Sequence, residues 1–234
     1  MENVSIVIIL LFSLTTIVAV LLFFKAAHYS KRLMAVVLAW ILIQSVLGVV
    51  GFYTNWTTVP PRFPLLIAPP VLGIVLLLAL KSGRGFIDSL NIETLTILHV
   101  IRIPVEITLY YLLMARLIPQ SMTFEGTNLD IISGITAPIV YYFAFSLKRM
   151  HPRVLLIWNF LCLALLLNVV ITAILSAPTP FQKFAFDQPN IGIGFFPFVL
   201  LPAVLVPIVL LSHFASIRLL TKKNSLVQIN LMNA

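Results

Sequence analysis

Long apolar runs alternate with short polar stretches along the chain. An α-helix needs about 20 predominantly apolar residues to cross ~30 Å of hydrocarbon. The pattern therefore predicts an all-α membrane protein: a seven-transmembrane-helix bundle that forms one transmembrane domain over residues 1–234. The predicted helices cover about residues 4–24, 33–53, 65–80, 92–117, 129–147, 154–176 and 197–220.

The distribution of lysine and arginine predicts the orientation of this bundle, since cytoplasmic loops of membrane proteins carry an excess of these residues. Eleven of them lie at the end of, or after, the first, third, fifth and seventh predicted helices, and three lie on the opposite side. The sequence therefore predicts that the N-terminus is outside and the C-terminus is cytoplasmic. The eleven are Lys25, Lys31, Arg32, Lys81, Arg84, Lys148, Arg149, Arg153, Arg218, Lys222 and Lys223, and the three are Arg62, Arg116 and Lys183.

The composition agrees with this class of protein. Hydrophobic residues make up 61% of the chain and charged residues 9%, against roughly 25% charged in a soluble domain. The net charge of +8 comes from basic residues scattered between apolar runs, so we expect the lipid bilayer as partner and no nucleic acid. We expect an integral protein of the plasma (inner) membrane. A homo-oligomer and a complex with a partner membrane subunit both stay open.

The fourth predicted helix carries charged residues inside its apolar run. His99, Arg102, Glu106 and Tyr110 are spaced so that they share one helix face. A lone charged side chain at bilayer depth costs at least ~2.5–3.5 kcal/mol, so we expect Arg102 and Glu106 to neutralise each other and to face the bundle interior. Pro104 lies between them and predicts a kink. The sequence therefore predicts a ligand-binding site formed by these four residues, with a purely structural ion pair as the alternative.

Other polar and proline residues within the predicted helices have simpler interpretations. We expect Asp130 to cap the fifth helix, and Gln44, Asn159 and Asn168 to form hydrogen bonds between helices. Prolines predict kinks in the third, fourth, fifth and seventh helices. They are Pro69, Pro70, Pro104, Pro138, Pro202 and Pro207.

Two histidines suggest a second kind of site. Counting ~1.5 Å per residue from the cytoplasmic helix ends places His99 and His213 at matching depth. Two imidazoles at one depth are what a haem or a metal ion requires, and Arg102 would then be available for a haem propionate. The alternative is two unrelated interior histidines that form hydrogen bonds with neighbouring side chains.

Two functions from different classes follow from these residues. The preferred hypothesis is a transporter or small-ligand-binding membrane protein that uses the Glu106 and Arg102 pair, with a small molecule or ion as ligand. The alternative is a membrane redox or cofactor-dependent enzyme in which His99 and His213 hold haem or a metal, or Arg102 contacts a quinone. Whether the protein is an enzyme stays undecided, as do the ligand and any cofactor. A third hypothesis is an accessory subunit with a structural ion pair.

Overall fold

The computed structural model describes residues 4–56, 58 and 60–222, which form an all-helical fold. Five of the helices in this part of the chain are long and apolar enough to cross a membrane, so the chain is a helical membrane protein. The helices are α1 (Ile6–Ala26), α2 (Lys31–Val49), α3 (Ala68–Ala79), α4 (Lys81–Ser89), α5 (Ile92–Met114), α6 (Ile131–Ser146), α7 (Pro152–Leu175) and α8 (Leu201–Thr221).

The long helices α1, α2, α5, α7 and α8 coincide with five of the seven predicted segments. The other two segments are shorter: α6 is an apolar helix below spanning length by itself, and α3 is followed by α4 after a bend of 97°. The prediction placed α4 in a polar loop, and this was wrong. Residues 81–89 form a helix because Gly83 and Ile87 are buried on one side, while Lys81 and Ser82 are exposed. Lys223 lies outside the described residues.

Helix α8 is the centre of the bundle. In its most apolar window 72% of the residues are buried, against 11% for the peripheral α2. The two helices nevertheless share a specific contact. Pro207 has no N–H, so it cannot donate to the Ala203 carbonyl one turn earlier. The Trp40 indole Nε1–H of α2 donates to that carbonyl instead, at 2.9 Å. A side chain of the outer helix thus completes the backbone hydrogen bonding of the central one.

Hydrogen bonds show which helix ends lie together. The Asn91 N–H, just before α5, donates to the Ala26 carbonyl at the end of α1 at 2.9 Å. Arg218 near the end of α8 forms an ion pair with Asp88 of α4 at 2.7 Å. The ends of α1, α4 and α8 therefore surround the start of α5.

The opposite end is held by the segment before α8. The Gly192 N–H donates to the Leu117 carbonyl after α5 at 2.7 Å, and the Asn190 N–H donates to the Ser176 carbonyl after α7 at 2.8 Å. The described helices thus have two distinct ends, and α5 runs from one to the other.

A glycine allows α6 to approach α5. A Cβ atom added to Gly134 would lie 2.9 Å from Ile103 Cγ1, 3.0 Å from the Ile103 amide nitrogen and 3.2 Å from Arg102 Cβ. Real Cβ atoms do not reach such distances without displacement of their neighbours. The absence of a side chain at Gly134 therefore positions the start of α6 directly beside Arg102.

We expect Gly134→Ala to lower the free energy of unfolding by about 1–3 kcal/mol, because extra volume in a packed interface displaces backbone. Gly73→Ala is the matched control, since a Cβ there meets nothing within 4 Å and alanine favours a helix. Denaturant unfolding in the same detergent would measure both variants. A loss no larger for Gly134→Ala than for Gly73→Ala would contradict the close approach of the two helices.

Candidate functional site

Three ionisable side chains of α5 lie within the bundle. His99, Arg102 and Glu106 are 0%, 3% and 1% exposed. A short 3-10 turn, His99–Ile101, interrupts the helix just before Pro104. The α-helical hydrogen-bond pattern changes here because proline has no N–H to donate to the preceding turn. Tyr110, the fourth predicted site residue, is half-buried and stacks on Phe124 at 5.3 Å. The structure therefore brings three of the four predicted residues to the interior and places Tyr110 against another aromatic ring.

Arg102 forms its ion pair with Asp130, and not with Glu106 as predicted. The Nη1 atom lies 2.9 Å from the Asp130 Oδ1 atom, and both side chains are buried. Asp130 reaches Arg102 because α6 starts beside α5, where Gly134 removes the obstacle of a side chain. Asp130 occupies the N-cap position of α6, as predicted, but its side chain forms no capping hydrogen bond.

Two further groups accept hydrogen bonds from Arg102. Nη1 donates to the Cys162 carbonyl of α7 at 3.3 Å, and Nη2 donates to His213 Nε2 of α8 at 3.1 Å. Arg102 of α5 therefore connects α6, α7 and α8. The Nε–H group of Arg102 has no acceptor among the described residues.

Glu106 has a neutral partner. The Asn128 Nδ2 atom donates to Glu106 Oε1 at 2.7 Å and to the Met122 carbonyl at 2.9 Å. The Asn128 Oδ1 atom accepts from the Asp130 N–H at 2.9 Å, so both ends of the amide are assigned. The second carboxyl oxygen of Glu106, Oε2, is buried and has no hydrogen-bond partner within the described ranges.

The two histidines lie side by side. The rings of His99 and His213 stack with centroids 4.1 Å apart and an interplanar angle of 16°. His213 Nδ1 lies 3.0 Å from Asn159 Oδ1. Because Arg102 can only donate, His213 Nε2 accepts, and a neutral ring then carries its proton on Nδ1, facing the Asn159 oxygen. His99 and Trp158 also form a T-shaped ring pair, with centroids 5.5 Å apart.

This arrangement bears on the haem and metal hypothesis. Both ring nitrogens of His213 are occupied by Arg102 and Asn159, and the two imidazoles face each other instead of pointing at a common centre. No cluster of three or more His, Cys, Asp or Glu residues suited to a metal ion occurs in the part of the chain that the structure describes. The geometry thus favours the hydrogen-bonding role for His213. Neither ring nitrogen of His99 has a hydrogen-bond partner among the described residues, so His99 is held by ring contacts. Asn159 forms the interhelical bond that was predicted for it.

An apolar cavity lies next to the charged residues. Of the residues that line it, only Arg102, Glu106 and Asp130 are polar. The apolar wall comes from five parts of the fold: residues 63–67, α5, Met122 and Ile193 near the bundle end, α7 and α8. Its free space corresponds to about five water molecules, at ~10–15 Å³ for each. The site therefore consists of an apolar cavity with three charged side chains in its wall, and the part of the wall that they form is called the polar end below.

Comparison with known proteins gives a family. Residues 60–221 match the family described as "Domain of unknown function (DUF8737)". The chain belongs to this family. All residues of the polar site and of the cavity lie within the matched region, whereas α1 and α2 precede it. No curated protein and no solved structure matches the chain.

We expect Arg102→Met to lower the free energy of unfolding by about 3–5 kcal/mol, because it leaves the buried Asp130 carboxylate without a counter-charge. The double variant Arg102→Met with Asp130→Leu should lose less than the sum of the two single variants. Arg116→Met is the control, since Arg116 is exposed beyond the end of the same helix. Unfolding in detergent would measure all four. Additive losses would contradict the ion pair.

Proposed function

We propose that the protein is a seven-helix membrane protein that binds or transports a small molecule at the polar end of its cavity. It crosses the plasma membrane with its N-terminus outside, as one transmembrane domain with proline-kinked helices. In this proposal, the five long helices, the bent α3–α4 pair and the shorter apolar helix α6 would each cross the membrane once. The ends of α1 and α8 lie near the start of α5. This supports the topology, because an even number of proposed crossings separates each of these positions from the others and places them on the same side.

Thiol labelling would test the orientation. Thr58 lies in the predicted outer loop after α2, and Ser82 lies at the exposed start of α4 on the predicted inner side. Single Thr58→Cys and Ser82→Cys variants would be treated with a membrane-impermeant maleimide before and after permeabilisation. We expect Thr58→Cys to react in intact cells and Ser82→Cys only after permeabilisation. Native Cys162 is buried and provides the background signal. The reverse pattern would overturn the orientation.

The unpartnered oxygen of Glu106 carries the ligand-binding proposal. A buried polar group without a hydrogen bond costs ~1–3 kcal/mol, and more when it is charged. Glu106 is 1% exposed, its Oε2 atom has no partner among the described residues, and the residue lines the cavity. A ligand that supplies the missing hydrogen bond removes this cost. In a transporter, Glu106 would also take up and release a proton as the ligand binds and leaves.

A second candidate function rests on Arg102. Its Nε–H donor faces no acceptor in the described part of the chain, and the residue lines the same apolar cavity. A quinone carbonyl would accept from such a donor, so a quinone-dependent membrane enzyme is the alternative. Co-purified quinone, identified by its ultraviolet absorption, would favour this alternative over a transporter.

Organic extraction of purified protein would test the role of Glu106. We expect mass spectrometry to detect a co-purified compound in the wild type and at least about tenfold less in Glu106→Gln, the size of effect that one lost hydrogen bond to a charged group produces. The Gln side chain keeps an oxygen that can accept from Asn128, and an NH₂ group replaces Oε2. Glu93→Gln is the matched control, because Glu93 is an exposed glutamate of the same helix. Equal retention in all three proteins would contradict the proposal.

A further inference from the structure

The shape and walls of the cavity indicate the chemical class of the ligand. We infer, on the basis of the ligand site proposed above, that the ligand is a slender lipid-like molecule: a single apolar chain that ends in a hydroxyl group. The chain would occupy the apolar part of the cavity, and the hydroxyl group would lie between Glu106 and Arg102.

The walls favour a hydrocarbon over water. A buried water needs two to four polar partners, and cavities lined by Leu, Ile and Phe stay dry. The cavity holds the volume of about five waters by the same measure, but Arg102, Glu106 and Asp130 are the only polar residues that line it. Most of the space therefore suits CH₂ groups, each of which gains ~0.8 kcal/mol on leaving water.

The dimensions favour a chain over a ring system. Along α7 the wall runs from Leu166 to Ile174, which is about 12 Å at ~1.5 Å per residue. A cavity of this length that holds so little volume is narrow. Flat or fused rings, a quinone head group among them, would require displacement of the wall, whereas an unbranched chain fits lengthwise.

The polar end favours a group that both donates and accepts. Glu106 Oε2 lacks a partner and can accept, and Arg102 Nε–H lacks an acceptor and donates. A hydroxyl group is the smallest neutral group that satisfies both. An anionic head group beside Arg102 would also lie near the Asp130 carboxylate that pairs with it, and like charges in a low-dielectric interior repel strongly. The ion pair of Arg102 with Asp130 already balances the guanidinium charge.

Photolabelling would test this inference directly. The protein in phosphatidylcholine nanodiscs would be labelled with dodecanol that carries a diazirine on its chain, and the modified residues would be located by peptide mass spectrometry. We expect saturable labelling of residues in the cavity wall of α5, α7 and α8. Unlabelled dodecanol should compete about five- to tenfold better than dodecyl methyl ether, which cannot donate a hydrogen bond. Dodecylamine and dodecanoate, used as competitors in the same way, test whether a charged head group binds better than the hydroxyl group.

Two variants separate the cavity from the lipid surface. Val170→Phe fills the cavity wall of α7, and Leu167→Phe adds the same ring on the lipid-facing side of that helix, where Leu167 is 42% exposed. We expect Val170→Phe to abolish the competed labelling and Leu167→Phe to leave it unchanged. Equal labelling of both variants, or labelling only on outward-facing residues, would overturn the inference.

The results distinguish the two proposals. If dodecanol and its methyl ether compete equally, or if the amine or the carboxylate competes better than the alcohol, the hydroxyl assignment is wrong. The ligand site itself then still stands on the Glu106→Gln extraction result. If the extraction also shows no compound that depends on Glu106, both the site and its ligand class are wrong.

Discussion

The structure depends on the neutralisation of Arg102 inside the bundle. A guanidinium at this depth has no water to solvate it, and a single ion pair with Asp130 supplies its counter-charge. Nη1 also donates to a backbone carbonyl of α7, and Nη2 donates to an imidazole of α8. Each of these contacts comes from a different helix, so the packing of α5, α6, α7 and α8 and the burial of the charge depend on one another.

Glu106 keeps one carboxyl oxygen without a partner in the described part of the chain because Asp130 takes the role predicted for Glu106 as the partner of Arg102. Had Glu106 paired with Arg102, the two charges would have neutralised each other and the pair would have had a purely structural role. Instead, Asn128 binds one oxygen of Glu106 and leaves the other without a partner among the described residues. The distinction between a structural site and a binding site therefore depends on one oxygen atom at the edge of an apolar cavity.

The class of protein and the interior position of His99, Arg102 and Glu106 could be predicted from the sequence, because hydrophobic length and the cost of buried charge act locally along the chain. The partner of Arg102 could not. Asp130 follows a polar loop and looks like a helix cap, and only the close approach that Gly134 permits brings it to Arg102. Likewise, residues 81–89 appear as a loop because their polar content hides a short helix with one buried side.

The hydrogen bond between Trp40 and the Ala203 carbonyl has a consequence for biogenesis. During synthesis, α2 leaves the ribosome long before α8, so the indole donor is already in the bilayer when the proline-interrupted backbone of α8 arrives. When α8 inserts, its Ala203 carbonyl can therefore accept a hydrogen bond from Trp40 of α2 and does not stay unsatisfied in lipid. Because α2 precedes the region that matches the family, this donor comes from outside that region.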